Sequence, residues 1–276
     1  MVAVDTIQNI VAQTESAHAA AESGTPELPN IITVLYHYWN DVPLIRFLHH
    51  WENIVFAAIV AGSIIGFAHL ATRKKELIPN QLQNFVEMIL EGLNNFIVGI
   101  LGEHGKKYAP FIGTLFIYIV GMNLFGLFPL MKSSTSSINT TAGLALVVFI
   151  YVQYIGIREL GIIGYLDHLA GKPRNIVTII LVPLMLPLHI ITELIKPVSL
   201  SLRLFGNITG EDVLIAVFLG LGIIVLGFIK SPIGIPLHFP FLLLAMLTSF
   251  VQAVVFSLLS TVYILMMLPH HEERVE

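Results

Sequence analysis

Six polar side chains, His189, Glu193, Lys196, Arg203, Asn207 and Glu211, stand in a stretch dominated by Ile, Leu, Val and Phe. At about 100° per residue they share one helical stripe about 80° wide. A continuous polar stripe in so apolar a setting is costly in lipid and is tolerated where it faces protein or water, which makes an intramembrane ion path its default reading. The alternative is a set of groups that lock helices together by hydrogen bonds. Arg203 favours the path, because a guanidinium stays protonated in nearly any environment and makes poor packing glue. It needs water or a carboxylate opposite it. Glu193 is ten residues away and Glu211 eight, neither a neighbour on the same helical turn. Another helix or another subunit is expected to supply the negative charge.

Glu193, Glu211, Asp212 and His189 are the titratable candidates for a proton relay, since burial raises the pKa of a carboxylic acid and lowers that of histidine. Asp212 points about 100° away from Glu211, toward a different helix. Asn207 sits one turn from Arg203, and Gln252 can reach across from the last helix. Neither titrates, so each either holds the guanidinium, carries hydrogen bonds to water, or acts as helix glue. His238, two heptads before Gln252 on nearly the same face, is a candidate for an outer access point. The sequence has no phosphate loop, no His-Glu-x-x-His metal pair and no nucleophile elbow. It implies neither a cofactor nor a metal, and the lone histidines His18, His37, His49 and His50 read as interfacial.

The elements that must position these residues follow from composition. Of 276 residues 55% are hydrophobic and 12% charged, and the mean hydropathy is +0.82, which places the chain in the membrane class. A net charge of −4 leaves no nucleic-acid footprint, and the absence of cysteine excludes disulfide and thiolate chemistry. Residues 1–49 lack a basic start and a long apolar run, so they do not read as a cleavable leader. Within them 12–30 are loose, and 31–39 form a short interfacial helix or a strand.

Residues 52–71 make the first span, and Arg73, Lys74 and Lys75 mark its exit as cytoplasmic. Residues 80–104 read as an amphipathic helix lying in the cytoplasmic interface. Spans follow at 108–130 and 142–157, joined by a polar outer turn at 132–141. Asn123 lies inside the second of the spans and needs a partner there. Arg158, Lys172 and Arg174 bound a Gly-rich loop. Residues 176–229 are too many for one perpendicular crossing and imply a long tilted helix, a re-entrant pair, or both. Pro183, Pro187 and Pro197 predict bends within it rather than ends. Gly206 and Gly210 leave room for a neighbouring backbone. In the last span, 241–268, Ala245, Ser249, Gln252, Phe256 and Tyr263 share a face to set against the Arg203 stripe. The expected fold is an all-α polytopic membrane protein with five passages. Its N-terminal region, 1–49, lies outside, its membrane domain is 50–268, and its tail, 269–276, is cytoplasmic.

The stretches KPVSLSLRLFGN (196–207), YAPFIGTLFIYIVGMNLFGLFP (108–129), NTTAGLALVVF (139–149) and SFVQAVVFSLLSTVYI (249–264) resemble the subunit a family of F-type ATP synthases. The resemblance covers roughly residues 50–268. It implies a static subunit of the Fo sector in a bacterial inner membrane, with no catalytic site of its own. In that family the arginine matching Arg203 faces the essential carboxylate of a rotating c-ring, reached by two offset aqueous half-channels. It also implies that 176–229 and 237–268 wrap the ring as long tilted helices, that a peripheral-stalk subunit b, or b and b′, is a partner, and that protons are the ion carried, with sodium the less favoured alternative that the ring's own site decides. Two departures stand out. The acid nine residues after the arginine is Asp212, with Glu211 beside it, and the position seven before the glutamine, histidine in the family, is Ala245. The relay acid thus remains open among Glu193, Glu211 and Asp212, and His189, Glu193 or His238 can substitute. Two readings of other classes are a secondary transporter, which calls for an internal repeat the chain does not display, and a structural scaffold.

The outer placement of the N-terminal region has a direct test. A cysteine introduced at Ser16 should react with an impermeant thiol reagent applied outside the cell. Labelling from the cytoplasm alone would overturn the topology.

Overall fold

The computed structural model describes residues 30–39, 42–73, 81–171, 176–227 and 236–268. The expectations for 12–29, for Lys74 and Lys75, for Lys172 and Arg174 and for 269–276 lie outside the described residues. The described residues form helices and no strand. Two short helices, α1 (Ile31–Tyr38) and α2 (Pro43–His50), precede α3 (Glu52–Thr72), α4 (Gln81–Leu101), α5 (Ala109–Gly126), α6 (Ile138–Leu169), α7 (Ile176–Gly227) and α8 (Phe239–Met267). The segment 31–39 is therefore a helix, started by Asn30, whose side chain accepts the Thr33 N–H.

The six helices α3 to α8 are long and apolar enough to cross a membrane. They are the five expected passages and the 80–104 segment, α4, which is the least apolar of the six. Along α4, Glu87, Glu91 and Asn95 are exposed and Ile97 is buried, while Phe85, Met88 and Phe96 of its apolar surface are exposed as well.

The core is where α5, α6, α7 and α8 meet. Ile112, Ile119 and Met122 of α5 pack with Val148 and Val152 of α6, Leu200, Leu204 and Ile208 of α7, and Phe256 and Ile264 of α8. The steps of three and four residues give each helix one buried stripe. α7 runs unbroken for 52 residues through Pro183, Pro187 and Pro197. At 1.5 Å per residue it is about 78 Å long, far beyond a hydrocarbon layer of about 30 Å, so it must lie oblique to the membrane normal. In its apolar window only 17% of the residues are buried within the chain; the rest of its surface is left for lipid or for another subunit.

The connection between α5 and α6 differs from a free polar turn. Ser133, Ser134 and Thr135 are buried, because the segment folds back and satisfies polar groups inside the bundle. Thr135 donates its hydroxyl hydrogen to Asn123 Oδ1 at 2.7 Å, Asn123 Nδ2 donates to the Ser249 carbonyl at 3.4 Å, and Ser133 donates to the Met122 carbonyl at 3.2 Å. This supplies the partner Asn123 requires. α6 starts four residues earlier and ends twelve later than the 142–157 span. Gly161, at φ 71 and ψ 167, kinks it, a conformation open to glycine alone at little cost. At this end Lys107 pairs with Glu159 at 2.6 Å, and the Glu159 carboxylate holds the Lys107 ammonium above its ordinary range.

Gly126 is fixed by contact rather than by dihedral: a Cβ there would stand 2.5 Å from the Ser133 Cβ and 2.8 Å from its backbone nitrogen. Gly126→Ala should displace the buried turn and cost about 1–3 kcal/mol, read as a lower midpoint in thermal unfolding of the detergent-solubilised chain. Gly143→Ala, where a Cβ meets nothing within 4 Å, should leave the midpoint unchanged or slightly raised. Equal midpoints for the two variants would show that the turn does not pack as described.

Candidate ion path

The polar stripe of α7 lies along one edge of its buried face, at the seam with α8. Leu200, Leu204 and Ile208 point into the core, whereas Arg203 is exposed on the open side. Among the described residues no carboxylate is within ion-pairing distance of Arg203. Its electrostatic neighbour on α8 is Tyr263. Beside it Gly206 and Gly210 offer open space, with nothing within 4 Å of a Cβ built on either. The room expected there faces away from this chain's own helices.

Glu193 and Lys196, one turn apart, form an ion pair, with Glu193 only 9% exposed. Gln153 of α6 donates to the second Glu193 oxygen at 3.4 Å and accepts from the Tyr165 hydroxyl at 2.6 Å. The Lys196 ammonium stands 5.3 Å from the Tyr263 ring centroid, within cation–π range. Between Val152, Glu193, Lys196 and Tyr263 lies a void of about 10 Å³, the size of one water. Two of the stripe's charges thus neutralise each other, and Glu193 is tied into a hydrogen-bonded chain toward the Gly161 end.

Toward the opposite end Asn207 Nδ2 donates to Glu211 Oε1 at 2.7 Å, and Thr248 of α8 faces the same carboxylate. Asp212 turns to another surface, as its angle requires. It lines a cavity of about 380 Å³ together with Ile215, Leu219, His238, Leu242 and the 126–131 turn. His238 Nδ1 is buried there without a partner among the described residues. Asp212 and His238, far apart in sequence, thus share one chamber. On α8, Gln252 is 6% exposed, and its Nε2 and the nearby Ser249 Oγ have no partner among the described residues. Buried polar atoms of this kind are normally met by an ordered water.

His189 is not drawn into either cluster. Its Nδ1 donates to the Met185 carbonyl of its own helix at 3.2 Å. Ala245, Ser249, Gln252 and Phe256 are buried and share a face, with Tyr263 on the side toward Arg203 and Lys196. Sequence reasoning missed the roles of Gln153, Tyr165 and Thr248. Gln153, the amide inside an apolar span, was the available signal. No group of three His, Asp or Glu among the described residues is placed to hold a metal ion.

A family model described as ATP synthase A chain matches residues 54–265. A protein of Protochlamydia amoebophila named ATP synthase subunit a is 50% identical over 259 residues, covering 94% of this chain and 96% of its own length. One of Solidesulfovibrio magneticus with the same name is 40% identical over 219 residues, 79% of this chain and 85% of its own. One of Pelobacter propionicus, named ATP synthase subunit a 1, is 38% identical over 213 residues, 77% and 86% respectively.

Removing one member of a buried ion pair leaves an uncompensated charge. Lys196→Met should therefore cost about 3–5 kcal/mol of stability, read by thermal unfolding in detergent, and adding Glu193→Gln should recover more than half of it. A single-variant loss below about 1 kcal/mol would mean that the pair is solvated like a surface bridge.

Proposed function

The chain belongs to the ATP synthase A chain family, and from that premise we propose that it is the stator subunit of a proton-driven Fo sector, carrying protons to and from a carboxylate on a rotating c-ring. The observation that carries this reading is the exposed Arg203, a permanent cation on a mostly apolar helix, with open space beside it at Gly206 and Gly210. A guanidinium so placed calls for an anionic partner from outside the chain.

In this scheme the chamber of Asp212 and His238 is the outer half-channel. A proton taken up there passes through Glu211, oriented by Asn207 and Thr248, to the ring carboxylate. Once neutral, that site can turn into lipid. After a rotation the site returns on the other side of the stripe and releases its proton toward Glu193, Gln153 and Tyr165, with His189 near the inner mouth. The ionised carboxylate is then attracted to Arg203. Because the guanidinium does not give up its own proton, it separates the two half-channels. Gln252, at the seam, orients the hydrogen bonds around it. A potential of 100 mV supplies about 2.3 kcal/mol per charge moved, and successive transfers drive rotation and ATP synthesis elsewhere in the complex. This chain contributes no catalytic site of its own.

The reading places the protein in a bacterial inner membrane, with residues 1–49 outside, the membrane domain at 50–268 and the tail, 269–276, in the cytoplasm. Its partners are the c-ring and a peripheral-stalk subunit b, or b and b′. In vesicles holding the assembled complex, Arg203→Ala should reduce proton transport driven by ATP hydrolysis to background while leaving assembly intact. Transport that survives the substitution would return the polar stripe to the role of helix adhesive.

A further inference from the structure

The N-terminal arm lies outside the 54–265 stretch that matches the family, yet its described residues are fastened to the bundle. Asn30 is 3% exposed and uses both ends of its amide. Its Oδ1 accepts from the Thr33 N–H at 2.8 Å, capping α1, and its Nδ2 donates to Glu52 Oε2 at 3.3 Å. The other Glu52 oxygen accepts from Lys132 Nζ at 2.8 Å, with the two side chains 14% and 15% exposed. The His49 ring lies 3.5 Å from Glu52 and stacks on Tyr36 of α1 at 4.3 Å. The backbone adds a further tie, from the Ile31 N–H to the Leu130 carbonyl at 2.8 Å.

Leu130 has φ 65, a left-handed conformation that costs a branched residue free energy and persists where its surroundings over-determine it. Its carbonyl is held by the arm through the Ile31 N–H, and Lys132, two residues on, is held by Glu52. The same turn, 126–131, forms one wall of the chamber that holds Asp212 and His238.

We infer that Asn30, Glu52, Lys132 and the Ile31 N–H form a clamp by which the N-terminal arm holds the 127–131 turn as the fixed rim of the outer chamber, making them positioning residues for proton access. The inference rests on the reading of that chamber as the outer half-channel. A buried ion pair adds little net stability, because desolvation offsets its attraction, but it favours one arrangement over others. Released from the clamp, Leu130 can relax out of its left-handed conformation, and the wall moves with it.

Ile31→Pro deletes the tie to Leu130 with little other damage. Residue 31 is the first of α1, where proline is well tolerated, and Asn30, at φ −94 and ψ 166, already has the extended backbone required before proline. Lys132→Met breaks the ion pair, and the exchange Glu52→Lys with Lys132→Glu restores it. The whole complex in membrane vesicles gives two readouts: the dependence of flux on outer proton concentration, and the reaction of Leu219→Cys in the chamber wall with an impermeant maleimide on the outer face. Ile31→Pro and Lys132→Met should each raise the labelling rate and the half-saturating proton concentration about threefold, with maximal flux unchanged. The exchange should bring both back to within about twofold of the native values. Reaction at Arg158→Cys, at the opposite end, with the same reagent applied to the cytoplasmic face should not change. Unaltered labelling and half-saturation in both variants would overturn the clamp, as would equal changes at both ends, which mark general loosening. If Leu219→Cys in an otherwise native chain never reacts from the outer face, the chamber reading falls and the clamp with it, whatever Arg203→Ala shows.

Discussion

A guanidinium that keeps its proton stands on the open side of an apolar helix with no carboxylate among the described residues within ion-pairing distance. That constraint orders the rest of the molecule. The three nearest acids in sequence are placed elsewhere: Glu211 is bonded to Asn207, Asp212 lines the chamber with His238 and Glu193 is paired with Lys196. Among the described residues Arg203 is left as a cation with no counter-charge in ion-pairing distance. In a low-dielectric setting such a charge is either matched or very costly, which is why the proposed function sets an acidic partner against the open face of α7.

The remaining elements hold that face still while letting polar groups approach it from two directions. The buried stripes of α5, α6 and α8 fix α7 through Leu200, Leu204 and Ile208. The α5–α6 connection, folded inward, uses Thr135 and Asn123 to tie α5 to α8 at Ser249. A packed core of this kind resists small displacements. The two polar clusters approach the Arg203 layer from opposite ends of α7, and each contains a void: one of about 380 Å³ at the Asp212 end and one of about 10 Å³ beside Glu193.

Much of this was readable in the sequence because hydropathy and helical period are local properties. The spans, the divergence of Asp212 from Glu211 and the need of Asn123 for a partner all follow from residue type and spacing, whereas for 176–229 spacing left a re-entrant pair open beside the single proline-bearing helix that forms. What spacing cannot convey is which distant segment fills a gap. The stretch 132–141 looks like a solvated turn, since serine and threonine are at home in water; only the fold reveals that Ser133 and Thr135 are buried to satisfy Met122 and Asn123. The same holds for Glu193, which reads as a free relay acid until Lys196 and Gln153 are seen around it. The early start of α6 and its kink at Gly161 were hidden because polar residues at both of its ends masked the helical period.

The central claim is that Arg203 meets a mobile acid of another subunit, and a cross-link tests it most directly. The chain has no cysteine, so a single one at Gly206, one turn from Arg203 and with open space for a side chain, can be paired with one beside the ring carboxylate in the assembled complex. The account predicts a disulfide on mild oxidation that stops ATP-driven proton transport, with recovery on reduction. If no cross-link forms while the cysteine at 206 stays freely reactive in the assembled complex, Arg203 does not face the ring and the account is wrong.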